Sequence, residues 1–221
     1  MSLLRSVLIL PLLATLVACD ESRFLVDPLG EARVCEAQLA GNWRVVDDAG
    51  GAPEYLLVDA DCNVRLVRGP RPGEGSSTLG ESAQQSQVEL APSIGRIGGL
   101  TYATLTDAQY HRAAGEDEGK PTHADQRDGF HVFLIEASRD RILLRAVDHQ
   151  ALARAIIDNQ VKGEVSKTDD GLKNVVLLDS DGVGKLLAER WLFRKAAPLQ
   201  LRRVATADLP PRLRAQVEAG R

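Results

Sequence analysis

Residues 130–147 read FHVFLIEASRDRILLRAV. The segments 130–136 and 141–147 are rich in β-branched, aromatic and other apolar residues, whereas Ser138-Arg139-Asp140 between them is typical of a turn. This pattern predicts an antiparallel hairpin, the strongest in the chain.

Shorter apolar or alternating segments on both sides of this hairpin predict further strands. They cover residues 39–47, 55–58, 64–68, 88–90, 97–106, 175–178 and 199–204. Over residues 149–162 the apolar residues have the spacing of a helix, with Asp148 as N-cap and Gly163 as stop. Residues 180–191 have the same helical spacing. We therefore predict an α+β fold with a mostly antiparallel curved sheet or incomplete β-barrel, and two or three helices in the C-terminal half.

Three segments are predicted as loops because they are polar or rich in Gly and Pro. They are residues 69–87, 107–129 and 164–174. The first two are long enough to form a variable contact surface.

The first 18 residues have the pattern of a secretory signal peptide. Arg5 supplies a positive charge, and residues 7–18 form an apolar run that is shorter than the ~20 residues needed to span a bilayer. Leu16-Val17-Ala18-Cys19 resembles a bacterial lipobox, and the resemblance implies cleavage before Cys19 and acylation of that residue. Two or three acyl chains would anchor the chain stably to a membrane. The alternative is an ordinary signal peptide with a cysteine there by chance.

These features predict the organisation of the chain. Residues 1–18 are a signal peptide, 19–34 a lipidated tether, 35–207 one globular domain and 208–221 an exposed C-terminal helix or tail. The predicted location is the bacterial cell envelope, facing the periplasm. Asp20, directly after the lipidated position, resembles an inner-membrane retention signal and slightly favours that membrane over the outer one.

The charge of the chain argues against a nucleic-acid partner. Its formal net charge is −4 with 27 Lys and Arg against 31 Asp and Glu, so it has no basic surplus for a phosphate backbone. The predicted contacts are the membrane, through the acyl chains on Cys19, and a protein partner in the envelope. We predict no cofactor.

Cys35 and Cys62 form an even pair once Cys19 is acylated. In an oxidising compartment such a pair predicts a disulfide, which would contribute ~3 kcal/mol by the loop-entropy model. Two buried free thiols are the alternative.

Gly41-Asn42-Trp43 begins the first predicted strand of the domain. It resembles the G-x-W motif at the start of a lipocalin barrel, although the middle motif of that family is missing. The resemblance implies that Trp43 plugs the closed end of a barrel and that an arginine of a late strand, Arg202 or Arg203, packs over it. Trp43 and Arg202 are therefore candidates for the lining of an apolar ligand pocket.

Four histidines are the remaining candidates for chemistry. His111 and His123 share a predicted loop with Asp107, Asp125 and Asp128, a set of residue types that can ligate a metal. Their spacing matches no metal motif, so solvated loop residues are the favoured interpretation and no metal site is predicted. For the other two, His131 and His149, we predict structural roles.

No catalytic motif is present, so a binding role is favoured over an enzymatic activity, although an active site can also assemble from residues that form no motif. The first hypothesis is an envelope lipoprotein that binds a partner protein, with an inhibitor or immunity role as a special case. The second is a lipocalin-like carrier of a small apolar ligand. The third is a metal-dependent hydrolase that uses the loop histidines.

Overall fold

A computed structural model describes residues 20–30, 34–46, 52–69, 86–115, 129–168, 171–193 and 198–219. These residues form one twelve-stranded sheet and four α-helices. The strands are β1 (Glu21–Phe24), β2 (Gly41–Val45), β3 (Glu54–Val58), β4 (Val64–Arg68), β5 (Ser86–Leu90), β6 (Ser93–Ile97), β7 (Leu100–Thr106), β8 (Phe130–Ala137), β9 (Arg141–Ala146), β10 (Gly163–Thr168), β11 (Gly171–Val176) and β12 (Leu199–Arg203). The helices are α1 (Asp107–Ala114), α2 (His149–Ile157), α3 (Ser180–Ala188) and α4 (Pro211–Ala219).

The predicted fold class is confirmed: the protein is α+β, with a large, mostly antiparallel and curved sheet. The hairpin predicted over 130–147 is β8 and β9, in which Phe133 pairs with Ala146 and Ala137 with Ile142. Asp148 caps α2 as predicted, since its side chain accepts a hydrogen bond from the amide of Ala151. Among the described residues no helix is both long and apolar enough to cross a membrane.

Nine of the strands follow one another in an almost circular order. β2 to β5 pair in sequence, β6 to β9 do the same, and β12 lies between β9 and β2. Although β5 and β6 are consecutive in the chain, they are not paired with each other in the described part of the sheet. The sheet is therefore curved but not closed.

Part of the predicted tether, residues 19–34, lies within the sheet. β1 pairs in parallel with β11 along its length and meets β8 at Phe24, a fully buried residue. Its neighbours Ser22 and Arg23 are also buried. A four-residue strand with polar buried side chains has no apolar alternation, which is why the sequence pattern did not reveal it.

Two of the predicted loops contain regular structure. Most of 164–174 forms the hairpin of β10 and β11. The segment 107–129 begins with α1, where the side chain of Thr106 accepts from the Gln109 amide and the Gln109 side chain accepts from the Thr106 amide. Residues 70–85 of the first loop and 116–128 of the second lie outside the described residues.

Three groups of apolar side chains hold these layers together. One joins β1, β7, β8 and β11 to α2 and α3, and a second fills the inner side of the sheet around Trp43. The third lies between the outer side of β3 and β4 and the C-terminal segment, where Leu209 and Leu213 are buried. The C-terminal helix predicted as exposed is therefore docked on the sheet through one face.

Candidate functional site

A group of charged side chains is buried where β1, α1 and β8 meet. Arg23, Asp107 and His131 are each at most 6% exposed, although charged residues are almost never buried unless they are paired. Glu21 and His111 border them and are partly accessible. These five residues are called the ionic cluster below.

The chain brings these residues together through strand pairing and one helix start. Asp107 is the first residue of α1, and its amide donates to the carbonyl of Gly129 at 3.0 Å, just before β8 begins. A carboxylate in the first turn of a helix is stabilised by the helix dipole. His131 and Glu21 then reach the same point from β8 and β1, which meet at Phe24 and Phe130.

Three of the polar contacts in the cluster converge on one oxygen. Asp107 Oδ1 lies 3.1 Å from Arg23 Nε, 3.0 Å from His131 Nε2 and 3.5 Å from His111 Nε2. Glu21 Oε1 lies 2.6 Å from Arg23 Nε and 3.4 Å from His131 Nε2. Two carboxylates and two imidazoles are thus held around a single guanidinium.

An aromatic ring covers one side of the cluster. Tyr110 stacks on His131 with ring centroids 3.8 Å apart and planes 10° apart. His131 Nε2 also contacts Asp107 Oδ1. The stack therefore fixes the tilt of the imidazole ring, and the contact with Asp107 fixes the direction in which Nε2 points. The stack shields the ion pairs from water and strengthens them.

The electrostatics of Asp107 follow from these neighbours. Burial raises the pKa of this carboxyl, but the hydrogen bond with His131 and the charge of Arg23 outweigh burial, so its pKa lies below the ordinary value of 3.8.

A second polar network lies beside the cluster and does not share its ion pairs. Ser22 Oγ is 2.8 Å from His149 Nδ1, and Asn174 Nδ2 donates to Ser22 Oγ and to the carbonyl of His149. Burial lowers the pKa of His149 below its ordinary 6.5, although the charge of Asp20 acts in the opposite direction. This network ties β1 and β11 to the start of α2.

The histidines and aspartates considered as possible metal ligands are only partly brought together. Asp107 and His111 are close together, but on a helix instead of a loop, and they meet His131, Glu21 and Arg23. The three other members of that set, His123, Asp125 and Asp128, lie outside the described residues. The sequence interpretation missed Glu21 and Arg23 because it placed them in a tether.

Trp43 is fully buried at one end of the inner core, and its indole N–H donates to the carbonyl of Leu39 at 2.8 Å. The guanidinium carbon of Arg203 lies 4.1 Å from the centre of the Trp43 ring. Arg203 also donates from Nε to the carbonyl of Arg139, from Nη1 to that of Ala40 and from Nη2 to that of Gln38, at 2.6, 2.9 and 2.6 Å.

The backbone conformation and close packing at residue 41 explain why the Gly-x-Trp segment begins with a glycine. Its φ of +139° is rarely adopted by residues with side chains, and a Cβ there would collide with the Arg203 guanidinium. Of the two arginines considered for the contact with Trp43, it is thus Arg203 that makes it. Arg202 points to the other face of the sheet.

Three arginines lie side by side on that outer face. Arg202 on β12 pairs with Arg44 on β2 and with Arg141 on β9. All three are exposed, and none of their side chains has a hydrogen bond or ion pair with another described residue. Arg44, Arg202 and Arg141 are called the arginine row below.

The predicted disulfide is confirmed. Cys35 and Cys62 are bonded, with Cα atoms 5.5 Å apart. The bridge ties the segment before β2 to the turn between β3 and β4.

Comparison with known proteins gives no family for the chain. No protein-family model, no curated protein and no solved structure matches it. The basis for a functional proposal is therefore the arginine row together with the N-terminal segment.

Proposed function

We propose that this chain is a lipid-anchored bacterial lipoprotein of the cell envelope that binds an acidic surface of a partner protein through the arginine row. The anchor is Cys19, within the lipobox-like segment, and the domain faces the periplasm. Asp20 favours the inner membrane. The observation that carries the binding role is the row itself.

The arginine row is unfavourable for the isolated protein. Like charges directly opposite each other on neighbouring strands destabilise a sheet, by about 0.2–1 kcal/mol for a pair. Within the described residues no acidic side chain compensates Arg44, Arg141 or Arg202, although the whole chain has a net charge of −4. A partner with an acidic surface would relieve this repulsion and gain charge-assisted hydrogen bonds.

The start of the sheet is compatible with a short lipid anchor. Asp20 directly follows Cys19, and its side chain accepts a hydrogen bond from the Leu172 amide at 2.9 Å. β1 then begins at Glu21. An acyl group on Cys19 would hold the start of β1 close to the bilayer.

The binding role can be tested by photocrosslinking in cells. A photoreactive residue at Leu143, on the same face as Arg141, is expected to give a specific adduct with an acidic protein. Arg202→Glu in the same chain should abolish the adduct without reducing stability. Arg154→Glu, an exposed charge reversal on α2, is the matched control and should leave the adduct unchanged.

Three results would overturn the binding role. One is a crosslink that Arg202→Glu leaves intact, and another is the absence of any adduct at Leu143. The third is an adduct with lipid in place of protein, which would show that the row contacts headgroups.

The anchor has a separate test. Metabolic labelling with a palmitate analogue is expected to label the chain and to lose the label in Cys19→Ala, with release of the domain from the membrane fraction. A labelled or membrane-bound Cys19→Ala variant would contradict the anchor. This outcome is independent of the crosslinking result.

A carrier of small apolar ligands is the second candidate, because the contact of Arg203 with Trp43 resembles the lipocalin arrangement. However, Leu39, Ile135 and Leu201 pack around Trp43 inside the curved sheet. These side chains occupy the space in which a lipocalin-like carrier would hold its ligand. We therefore prefer the binding of a protein at the outer face. Native mass spectrometry of the purified chain with a bound apolar molecule would reverse this preference.

A further inference from the structure

The outer face of the curved sheet is covered on both sides of the arginine row. On one side, Tyr102 of β7 pairs with Leu134 of β8, which lies opposite Arg145 on the face of β9 that carries the row. Tyr102 and Leu134 are both buried. The Tyr102 hydroxyl donates to the carbonyl of Leu187 in α3, and the Tyr102 ring lies 5.8 Å from that of Phe193. α3 and the segment after it therefore cover β7 and β8.

On the other side of the row, the C-terminal helix covers the same face. Arg44 pairs with Tyr55 on β3, and Tyr55 pairs with Val67 on β4, so these three side chains point to one side of the sheet. Tyr55 and Val67 are buried in the apolar group that contains Leu209 and Leu213. α4 thus lies over β3 and β4.

Between these two covered regions lies a strip of sheet that is three strands wide. It consists of β9, β12 and β2, and its outer face carries the arginine row, the exposed Gln200 and the half-buried Leu143. Four strand steps, roughly 19 Å, separate β8 from β3. Since an α-helix with its side chains is about 10–12 Å wide, the described residues leave room for one helix and not for two. This surface is called the uncovered strip below.

The strands of the uncovered strip already have neighbours on both sides. β9 pairs with β8 and β12, and β2 pairs with β12 and β3. A partner therefore cannot extend the sheet here by adding a strand. An extended segment laid on the face would bury its own backbone N–H and C=O groups without hydrogen-bond partners, whereas a helix satisfies these groups internally.

We infer that the partner places one α-helix in the uncovered strip and presents acidic side chains to the arginine row. This inference rests on the proposed function, since it names the element by which the partner binds. Carboxylates form paired hydrogen bonds with guanidinium groups, and no described acidic residue engages the three arginines of the row. Glu136, which lies opposite Leu143 at the border of the strip, is already paired with Arg145 at 3.0 Å.

The spacing of the side chains sets the direction of the helix and its sequence pattern. The row spans two strand steps, roughly 9.5 Å, which is close to the width of a helix that runs along the strands. Side chains at positions i, i+3 and i+4 share one face of a helix, so three acidic residues there would meet the three arginines. Leu143 lies two residues from Arg141 on β9, about 6.8 Å away. One helical turn is about 5.4 Å, so an apolar residue one turn beyond the acidic group would contact Leu143.

The test uses two fluorescent synthetic peptides and the full-length chain in detergent. Both peptides are Ala-rich, about 20 residues long, and carry Glu at i, i+3 and i+4 and Leu at i+7 and i+8. In the second peptide two alanines between these positions are replaced by Pro, which prevents the helix and keeps the charge. Fluorescence anisotropy at low ionic strength should show that the helical peptide binds at least about tenfold more tightly than the Pro peptide.

Two charge reversals identify the surface to which the peptide binds. Arg202→Glu should weaken binding of the helical peptide at least about tenfold, because it replaces the central charge of the row by one of opposite sign. Arg154→Glu makes the same charge change at an exposed position on α2 and should leave the binding unchanged. Equal loss of binding in both variants would show a general charge effect and overturn the inference.

The inference is also overturned if the two peptides bind equally well or if neither binds. These outcomes are separate from the crosslinking test of the proposed function. A Leu143 adduct that Arg202→Glu abolishes, without any preference for the helical peptide, would mean that a partner binds the row through a different element. The absence of any adduct would overturn the binding role itself.

Discussion

Arg203→Ala is the substitution with the clearest expected effect on stability. The side chain donates hydrogen bonds to the carbonyls of Arg139, Ala40 and Gln38 and lies over the ring of Trp43. It therefore joins the turn before β9, the segment before β2 and the strand β12.

The magnitude can be worked out from these contacts. A hydrogen bond to a charged group contributes about 1.5–3 kcal/mol when buried, and about 1 kcal/mol is appropriate here because the guanidinium is exposed. The stacking on Trp43 adds about 0.5–1 kcal/mol. With about 1 kcal/mol for each of the three hydrogen bonds, we expect Arg203→Ala to lower the free energy of unfolding by about 3.5–4 kcal/mol, and the midpoint of thermal unfolding by roughly 7–16 °C for a chain of this size.

The neighbouring residue is an ideal control. Arg202→Ala removes the same side chain from the opposite face of β12, where it makes no described hydrogen bond or ion pair. Its effect should be within about 0.5 kcal/mol of zero, or slightly stabilising because the repulsion in the arginine row is reduced. Arg203→Lys should fall between the two, since it keeps the charge but loses the planar set of donors.

Urea unfolding of the full-length chain, followed by tryptophan fluorescence, measures all three variants. The reasoning would be refuted if Arg203→Ala cost less than about 1 kcal/mol, or if Arg202→Ala cost as much as Arg203→Ala. Either result would mean that the carbonyl contacts are replaced by water without loss.

Three further predictions concern other parts of the structure. Reduction of the disulfide, or replacement of Cys35 and Cys62 by Ser, should lower stability by about 3.5 kcal/mol by the loop-entropy model, as measured by urea unfolding with and without reductant. Leu213→Ala should cost about 2–3 kcal/mol in urea unfolding, because Leu213 is the fully buried residue by which α4 packs on β3 and β4, whereas Arg212→Ala should be nearly neutral in the same assay. His149 remains neutral in the folded chain to lower pH than in the unfolded chain, so stability should decrease as the pH falls from 6.5 through its folded pKa and should not change above 6.5 on its account. His149→Gln should make this part of the pH profile flatter in urea titrations, and an unchanged profile would contradict the lowered pKa.

The sequence predicted the fold best where long apolar segments flank a short polar turn. β8 and β9 are such segments, and the turn between them fixed both their positions and their pairing. The pairing of Cys35 with Cys62 followed from counting alone once Cys19 was set aside. In these places the local pattern and the tertiary contacts agree.

The same reasoning failed where polar side chains are buried. Arg23 and Asn174 lie on strands whose polar residues are paired with one another, and such pairing is invisible in a pattern of apolar residues. For α1 a usable signal was present, because Thr106 and Gln109 have the spacing of a capping box. The ionic cluster could not be predicted, since it joins Glu21 and Arg23 with residues about 85–110 positions later in the chain.

The ionic cluster and the arginine row are connected by one continuous set of paired strands. From β1 the order is β8, β9, β12 and β2, so four steps of about 4.7–4.9 Å, roughly 19 Å along the sheet, separate the N-terminal strand from Arg44. Paired strands do not slide, so an anchor at Cys19 would hold the row at a fixed distance from the bilayer. The weakest part of this connection is β1 itself, which has only four residues and meets β8 at a single pair. The ion pairs of the cluster join β1 to α1 and β8. With an anchor at Cys19, they would attach the anchored strand to the domain and so position the row.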